Sequence, residues 1–264
     1  KKPRRETRSA MAESEHLSGL RRLGWTLYSA AFWLFVAVSS MLLFPVAGLI
    51  WLLTAPFDPR KRLLHQFTCF WASLYSWLNP VWRVRVLGRE RLRDDRPTVF
   101  VANHLSLVDI LVLFRTFADF KWVSKIEIFR TPVIGWNMRL NDYIPIHRGN
   151  RDSVREMLRL CEAALGRGSS IMMFPEGTRS VDGRLQRFKP GAFELALKTR
   201  CPIQPILVEG SGAALPKHGL VLRGRHPITL SILAPLEPET FAGRDPETLA
   251  ADVHELFAAE QAAR

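Results

Sequence analysis

A histidine and a carboxylate, His104 and Asp109, lie five residues apart in the run Asn103–Asp109. The run follows an apolar, strand-like segment (98–102) and precedes an apolar, helix-like one (110–117). A strand-to-helix turn lets the two side chains meet, so the carboxylate can fix the imidazole tautomer and stabilise its protonated form. The pair therefore predicts a general base. The same aspartate, three residues after a serine, also fits a helix capping box, which is compatible with that role.

The loop Phe174–Ser180 follows another apolar strand and holds the most specific string in the chain. Gly177 permits a tight turn, Thr178 offers a hydroxyl group, and Arg179 adds a fixed positive charge. Successive main-chain N–H groups in such a loop form an anion-binding site. Glu176 is expected either to order Arg179 or to hydrogen-bond a hydroxyl group of a substrate.

Two more cations lie where a phosphate site would need them. Arg148 follows the predicted strand 143–146, and a guanidinium suits bidentate contact with phosphate. Lys189 precedes Pro190, which fits the start of a helix, and a helix N-terminus also binds phosphate. Together with Arg179, these residues predict a site for an anionic group.

These three loops and the apolar segment Pro202–Val208 occur in the order of the four signature blocks of the glycerolipid acyltransferases, which they resemble over about residues 80–235. The resemblance implies acyl transfer from a thioester, acyl-CoA or acyl carrier protein, to the 2-hydroxyl group of lysophosphatidic acid. His104 and Asp109 would be catalytic, and no cofactor or metal is implied. The substrate-binding residues would be Arg148, Glu176, Gly177, Thr178, Arg179 and Lys189.

Other classes of protein explain fewer of these features. A serine hydrolase would share the His–Asp pair, but the chain has no G-x-S-x-G elbow. A zinc enzyme would need H-E-x-x-H or paired cysteines, and neither occurs. A nonenzymatic basic membrane-binding protein would explain the net charge of +12 but not the ordered loops. An acyltransferase for another lysolipid acceptor, such as a lyso-ornithine lipid, remains the main alternative.

An apolar run from Leu23 to Phe57 contains no Asp, Glu, Lys, Arg or His. Pro45 and Gly48 interrupt it and predict a kink or turn. Because basic residues flank both ends, we expect both ends to face the cytoplasm. A helical hairpin in one leaflet fits these observations, and a single span is the alternative. Residues 60–79 form an amphipathic helix that lies either in the membrane interface or in the protein core.

Beyond Pro80, short apolar runs alternate with amphipathic segments, which predicts an α/β fold. We expect a mixed, largely parallel sheet flanked by helices, with an N-terminal membrane-embedded helical segment. The expected division is a basic tail (1–22), a membrane-anchoring hairpin and interfacial helix (23–79), the acyltransferase domain (80–240) and a C-terminal helix (241–264). The predicted strands are 82–87, 98–102, 121–124, 143–146, 170–174, 203–208 and 228–232. The predicted helices are 110–117, 133–140, 152–165, 191–199 and 246–262.

The basic composition predicts an anionic partner. Next to an apolar anchor, membrane lipid is the expected partner, together with lysophosphatidic acid and the acyl-CoA or acyl carrier protein donor; nucleic acid is not expected. Three cysteines at wide spacing give neither a disulfide framework nor a zinc site, which fits a reducing compartment. We expect the protein on the inner membrane of a bacterium, with its catalytic domain facing the cytoplasm.

Overall fold

The computed structural model describes residues 3–217, 219–222 and 224–263 of the chain. The helices are α1 (Pro3–Thr54), α2 (Arg62–Trp77), α3 (Val108–Leu113), α4 (Ile134–Leu140), α5 (Arg151–Gly166), α6 (Gly191–Thr199), α7 (Ser211–Ala214), α8 (Pro238–Phe241) and α9 (Pro246–Ala262). The strands are β1 (Trp82–Leu87), β2 (Val99–Ala102), β3 (Phe120–Lys125), β4 (Ile144–Ile146), β5 (Ser170–Met173), β6 (Ile203–Glu209) and β7 (His226–Ile232). Helix α1 begins inside the segment predicted as a basic tail; Lys1 and Lys2 of that segment lie outside the described residues.

The long apolar run forms one continuous helix. α1 continues as a helix through Pro45, so the turn that was one of the two predicted alternatives is wrong. A proline removes one helical hydrogen bond, but packing supports α1 on both sides of it. Ala47 is fully buried, and the rings of Phe44 and Trp136 lie 5.6 Å apart. The chain reverses instead at residues 55–61, and α2 then packs antiparallel to the second half of α1.

Helix α2 is mainly a core-packing helix, which was one of the two alternatives for this segment. Nine of its side chains are buried, among them Leu64, Trp71 and Tyr75. The Tyr75 hydroxyl lies 2.9 Å from Ser40 Oγ of α1, and thus α2 ties the apolar helix to the catalytic part of the chain. Phe70 and Trp77 remain exposed on its outer side.

The strands form one seven-stranded sheet in the order β1-β7-β6-β2-β5-β3-β4. Neighbours pair in parallel, except that β6 and β7 are antiparallel. This confirms the expected mixed, largely parallel sheet flanked by helices. Because β2, β3, β4 and β5 all run in one direction, their carboxyl ends meet at a single edge. The loops that carry His104, Arg148 and Glu176 begin at that edge.

Alternate residues of each central strand face two separate cores. In β2, Phe100 faces the core shared with α1, α2 and α3, whereas Val99 and Val101 face the core formed with α5, α6 and α9. Full burial of one such side chain contributes roughly 1.5–3 kcal/mol. Packing on both faces fixes the sheet, and the sheet in turn fixes the starting points of the three loops.

Candidate active site

His104 and Asp109 form a buried pair directly after β2. Asp109 Oδ2 lies 2.8 Å from His104 Nδ1, and the two side chains are 0% and 7% exposed. A carboxylate accepts hydrogen bonds only, so Nδ1 carries the proton and Nε2 presents a lone pair. His104 also lines a large cavity. The pair therefore has the arrangement of a general base and its orienting carboxylate, as the spacing predicted.

The main chain around the pair explains why the loop adopts this shape. Asp109 Oδ2 also accepts hydrogen bonds from the N–H groups of Leu105 and Ser106, at 2.7 and 2.8 Å. The aspartate therefore closes the start of α3 and orients the histidine at once. On the other side, the Asn103 amide pairs with both the N–H and the carbonyl group of Val208 in β6, at 2.7 and 2.8 Å.

The loop after β5 packs directly against the histidine. The Phe174 ring stacks on the imidazole with centroids 3.9 Å apart and planes 9° apart. The Ser180 N–H donates to the His104 carbonyl oxygen at 2.8 Å. At Gly177 the backbone has φ +71°, and a Cβ atom there would lie 2.8 Å from Lys189 Nζ, so glycine is required. The stacked Phe174 ring and the Asp109 carboxylate hold the imidazole in one orientation.

Glu176 joins the two loops through main-chain hydrogen bonds. Its carboxylate accepts from the His104 N–H at 2.7 Å and from the Gln186 N–H at 3.2 Å. Burial raises the pKa of Glu176 to about 7, although these two N–H groups act in the opposite direction. No ion pair joins Glu176 to Arg179 in the described part of the chain, and Glu176 does not line the cavity. The structure thus places Glu176 behind the site.

A cavity of about 720 Å³ extends from His104 into the space between the sheet and the N-terminal helices. Its walls include Trp33 and Val36 of α1, Trp71 of α2, Leu111 of α3, and Phe114 directly after α3. A large, mainly apolar cavity with a few polar groups at one end is typical of a site for an apolar ligand with a polar head. The apolar N-terminal segment is therefore part of the site.

Cations gather at the polar end of this cavity. Lys125, Arg148, Arg179 and Lys217 line it, and no Asp or Glu of the described residues does. Lys125 has an ion-pair partner, Glu127, at 3.3 Å. The described residues supply no such partner for the other three cations. A mouth of this charge can bind an anionic group next to the general base.

Comparisons with known proteins agree with this arrangement. The family model described as Acyltransferase matches residues 83–209. The chain is 41% identical to a chloroplastic 1-acyl-sn-glycerol-3-phosphate acyltransferase of Arabidopsis thaliana over 162 residues, 61% of this chain and 45% of that protein. A 1-acyl-sn-glycerol-3-phosphate acyltransferase of Limnanthes alba is 29% identical over 86% of this chain and 81% of its own length.

A solved structure extends the likeness to the whole fold. The crystal structure of the 1-acyl-sn-glycerophosphate (LPA) acyltransferase PlsC from Thermotoga maritima matches with a TM-score of 0.69 and 25% identity, covering 93% of this chain and 98% of that one. The chain resembles the acyltransferase family over residues 83–209 by sequence and over most of its length by fold. It spans about half the length of several of the curated family members that it matches most strongly.

The predicted site residues of this chain fall into two groups. His104, Arg148, Gly177, Thr178 and Arg179 line the cavity, and Asp109 lies directly behind His104. Glu176 and Lys189 do not line it. The exposed Lys189 side chain lies next to Gly177.

Sequence reasoning missed Lys217 and the role of Asn103. Lys217 follows β6 and the short helix α7, and the signal that could have revealed it is a cation shortly after a strand end. Asn103 was part of the first motif, but its partner in β6 lies 105 residues away. Among the described residues, no group of three or more His, Cys, Asp or Glu could hold a metal ion.

Proposed function

We propose that this protein transfers a fatty acyl group from an acyl thioester, acyl-CoA or acyl carrier protein, to the sn-2 hydroxyl group of lysophosphatidic acid. The product would be phosphatidic acid, a phospholipid precursor. The relatives are named as acyltransferases for 1-acyl-sn-glycerol-3-phosphate, which supports this acceptor. The observation that carries the proposal is the buried His104–Asp109 pair, which lies where a mainly apolar cavity meets three cations that form no ion pair with the described residues.

The chemistry needs no nucleophile from the protein. His104 Nε2 takes the proton of the acceptor hydroxyl group as its oxygen attacks the thioester carbonyl carbon. The tetrahedral intermediate then collapses, the C–S bond breaks, and the thiolate leaves with the proton that His104 returns. Asp109 stabilises the imidazolium between the two proton transfers. General-base assistance contributes roughly 10²–10⁴-fold to the rate, and alignment of the two bound substrates adds to it.

The cavity supports a lipid acceptor with a charged head. An acyl chain can lie along the apolar walls that α1, α2 and α3 provide, while a phosphate group lies at Arg148 and Arg179. In that arrangement the glycerol hydroxyl group falls between the two ends, next to His104. Arginine presents a fork of N–H donors that matches a phosphate group.

The direct test is an assay of purified protein in phospholipid vesicles. Lysophosphatidic acid is supplied with labelled acyl-CoA or labelled acyl carrier protein, and phosphatidic acid is measured. We expect labelled phosphatidic acid with at least one donor. Comparison of the reaction with acyl-CoA and the reaction with acyl carrier protein identifies the donor. Transfer to a lyso-ornithine lipid with none to lysophosphatidic acid would overturn the proposed acceptor. No transfer to any lysolipid would overturn the proposed activity.

Helix α1 supports attachment to one face of a membrane. Its segment Gly19–Thr54 is long and apolar enough to cross a bilayer, and little of it is buried. However, α1 contacts the rest of the protein along most of this segment. The Tyr28 hydroxyl donates a hydrogen bond to Asn79 at one end, and the Lys61 ammonium group lies over the Trp51 ring at the other. At 1.5 Å per residue this length is roughly 35 Å, more than the hydrocarbon thickness of about 30 Å. A perpendicular span would carry polar parts of the catalytic domain into the hydrocarbon, so we propose that α1 lies within one leaflet.

The proposed location is the cytoplasmic face of the inner membrane of a bacterium. Reporter fusions before Leu23 and after Pro80 test it, and both are expected to report the cytoplasm. Reporters in opposite compartments would instead require a single span. A fractionation control with residues 1–57 deleted should show whether α1 is needed for membrane binding.

A further inference from the structure

Lys217 enters the mouth of the cavity from the side opposite Arg148. It follows β6 through α7, whereas Arg148 follows β4 at the other end of the parallel strands. Its position is fixed by the catalytic loop, because the Ser106 hydroxyl donates to the carbonyl oxygen of Leu215 at 2.7 Å. A rigid main chain two residues away therefore holds the ammonium group at the cavity.

The ammonium group of Lys217 has only neutral partners. Its Nζ donates to the Arg179 carbonyl oxygen at 2.7 Å and lies 3.4 Å from Thr178 Oγ1. An ammonium group has three N–H donors, so at least one remains for a ligand. The half-buried positive charge also lacks a carboxylate within the described residues. This charge is therefore available to an anion in the cavity.

The three unpaired cations match a doubly charged group better than a singly charged one. A phosphate monoester carries roughly −1.5 to −2 charges at neutral pH. Burial lowers the pKa of Arg148; the nearby Glu127 opposes this shift, and Arg179 adds to it. Lys217 Nζ donates to the main-chain carbonyl oxygen of Arg179. Arg179 is thus a neighbour of both other cations, and all three line the same cavity.

We propose that Lys217 binds the phosphate monoester of the acceptor, together with Arg179, and closes the anion site on the side opposite Arg148. This inference rests on the proposed function. It makes Lys217 a residue that selects acceptors with a terminal phosphate group. A residue that merely braced the loop would act on every acceptor equally.

The test compares Lys217→Met, which removes the charge, with Lys217→Arg, which keeps it. Lys198→Met is the matched control, because Lys198 is exposed on α6, pairs with Glu162 and does not line the cavity. For each protein, kcat and KM are measured with lysophosphatidic acid and with monoacylglycerol, which lacks the phosphate group. Equilibrium binding of lysophosphatidic acid is measured separately, without an acyl donor.

We expect Lys217→Met to raise the KM for lysophosphatidic acid and to weaken its binding by roughly tenfold or more, with little change in kcat. Lys217→Arg should recover most of this loss, and neither variant should change the rate with monoacylglycerol. Equal losses with both acceptors, or unchanged binding of lysophosphatidic acid, would overturn the inference. Failure of the wild-type protein to bind or acylate lysophosphatidic acid would instead overturn the proposed function.

Discussion

The acidic and basic groups of the candidate site differ in what surrounds them. Asp109 and Glu176 are buried, and their carboxylates accept hydrogen bonds from main-chain N–H groups of the catalytic loops. Arg148, Arg179 and Lys217 line the mouth of the cavity, and the described residues offer them no carboxylate partner. The carboxylates therefore hold the site in shape before any substrate arrives, whereas the cations have charge available for a ligand.

This difference predicts two kinds of mutant. Changes at the buried pair should affect every acceptor, because the base acts on the hydroxyl group that all acceptors share. Changes at the cations should affect only acceptors that carry phosphate. Exposed or half-buried cations also contribute little to folding, so their variants should remain stable.

The largest effect is expected for His104→Ala. Loss of the general base should lower kcat by roughly 10²–10⁴-fold. The fold should survive, because the hydrogen bonds of residue 104 to Glu176 and Ser180 come from the main chain. Circular dichroism and vesicle binding serve as controls for folding. Near-normal turnover in this variant would refute the assignment of His104 as the base.

A smaller loss of rate is expected for Asp109→Asn. The amide oxygen can still accept hydrogen bonds from the Leu105 and Ser106 N–H groups, but a neutral amide cannot stabilise the imidazolium. Turnover is measured beside His104→Ala under identical conditions. A loss larger than that of His104→Ala would mean that Asp109 does more than orient and stabilise the histidine.

Neutralisation of Arg179 should act mainly on the acceptor. Loss of one charge-assisted hydrogen bond costs roughly 1.5–3 kcal/mol, or about 10- to 150-fold in kcat/KM for lysophosphatidic acid. Arg179→Met keeps an unbranched, though shorter, side chain and removes its charge. Steady-state kinetics with each substrate varied in turn should show little change in the donor KM. A matching rise in the donor KM would argue against a site reserved for the acceptor.

The smallest effect is expected for Glu176→Gln, and it concerns how the free energy of unfolding depends on pH. Because burial raises the pKa of Glu176 to about 7, the folded protein binds a proton between pH values of roughly 4.3 and 7 that the unfolded chain does not. The contribution of this proton is present below the unfolded pKa and is lost as pH rises through 7. Wild-type stability should therefore decline more from pH 5 to pH 8 than that of Glu176→Gln. If the melting temperatures of the two proteins changed by the same amount between pH 5 and pH 8, the raised pKa would be contradicted.

Local patterns in the sequence predicted much of the fold. The limits of α6 and α9 were predicted to the residue, because Pro190 and Pro246 fit helix starts and the apolar spacing is regular. The break at Pro45 was not found, since packing against α4 outweighs the lost hydrogen bond. The sequence around Pro45 gives no information about Trp136 of α4, which is about 90 residues away in the chain.

The same limit applies to the site. His104 and Asp109 are neighbours in sequence, so their contact was predictable from spacing alone. Lys189 and Lys217 are both cations near strand ends, and only tertiary structure distinguishes them. Lys189 packs next to Gly177 without lining the cavity, whereas Lys217, which follows α7, lines it.

The most direct test of the account is one comparison of acyl-transfer rates. The proteins are the wild type, His104→Ala and Arg179→Met, and each is assayed with lysophosphatidic acid and with monoacylglycerol in the same vesicles. We predict that His104→Ala loses the same factor with both acceptors, while Arg179→Met loses activity only with lysophosphatidic acid. A loss in His104→Ala that depends on the phosphate group, or a loss in Arg179→Met that does not, would contradict the division between catalytic base and phosphate site.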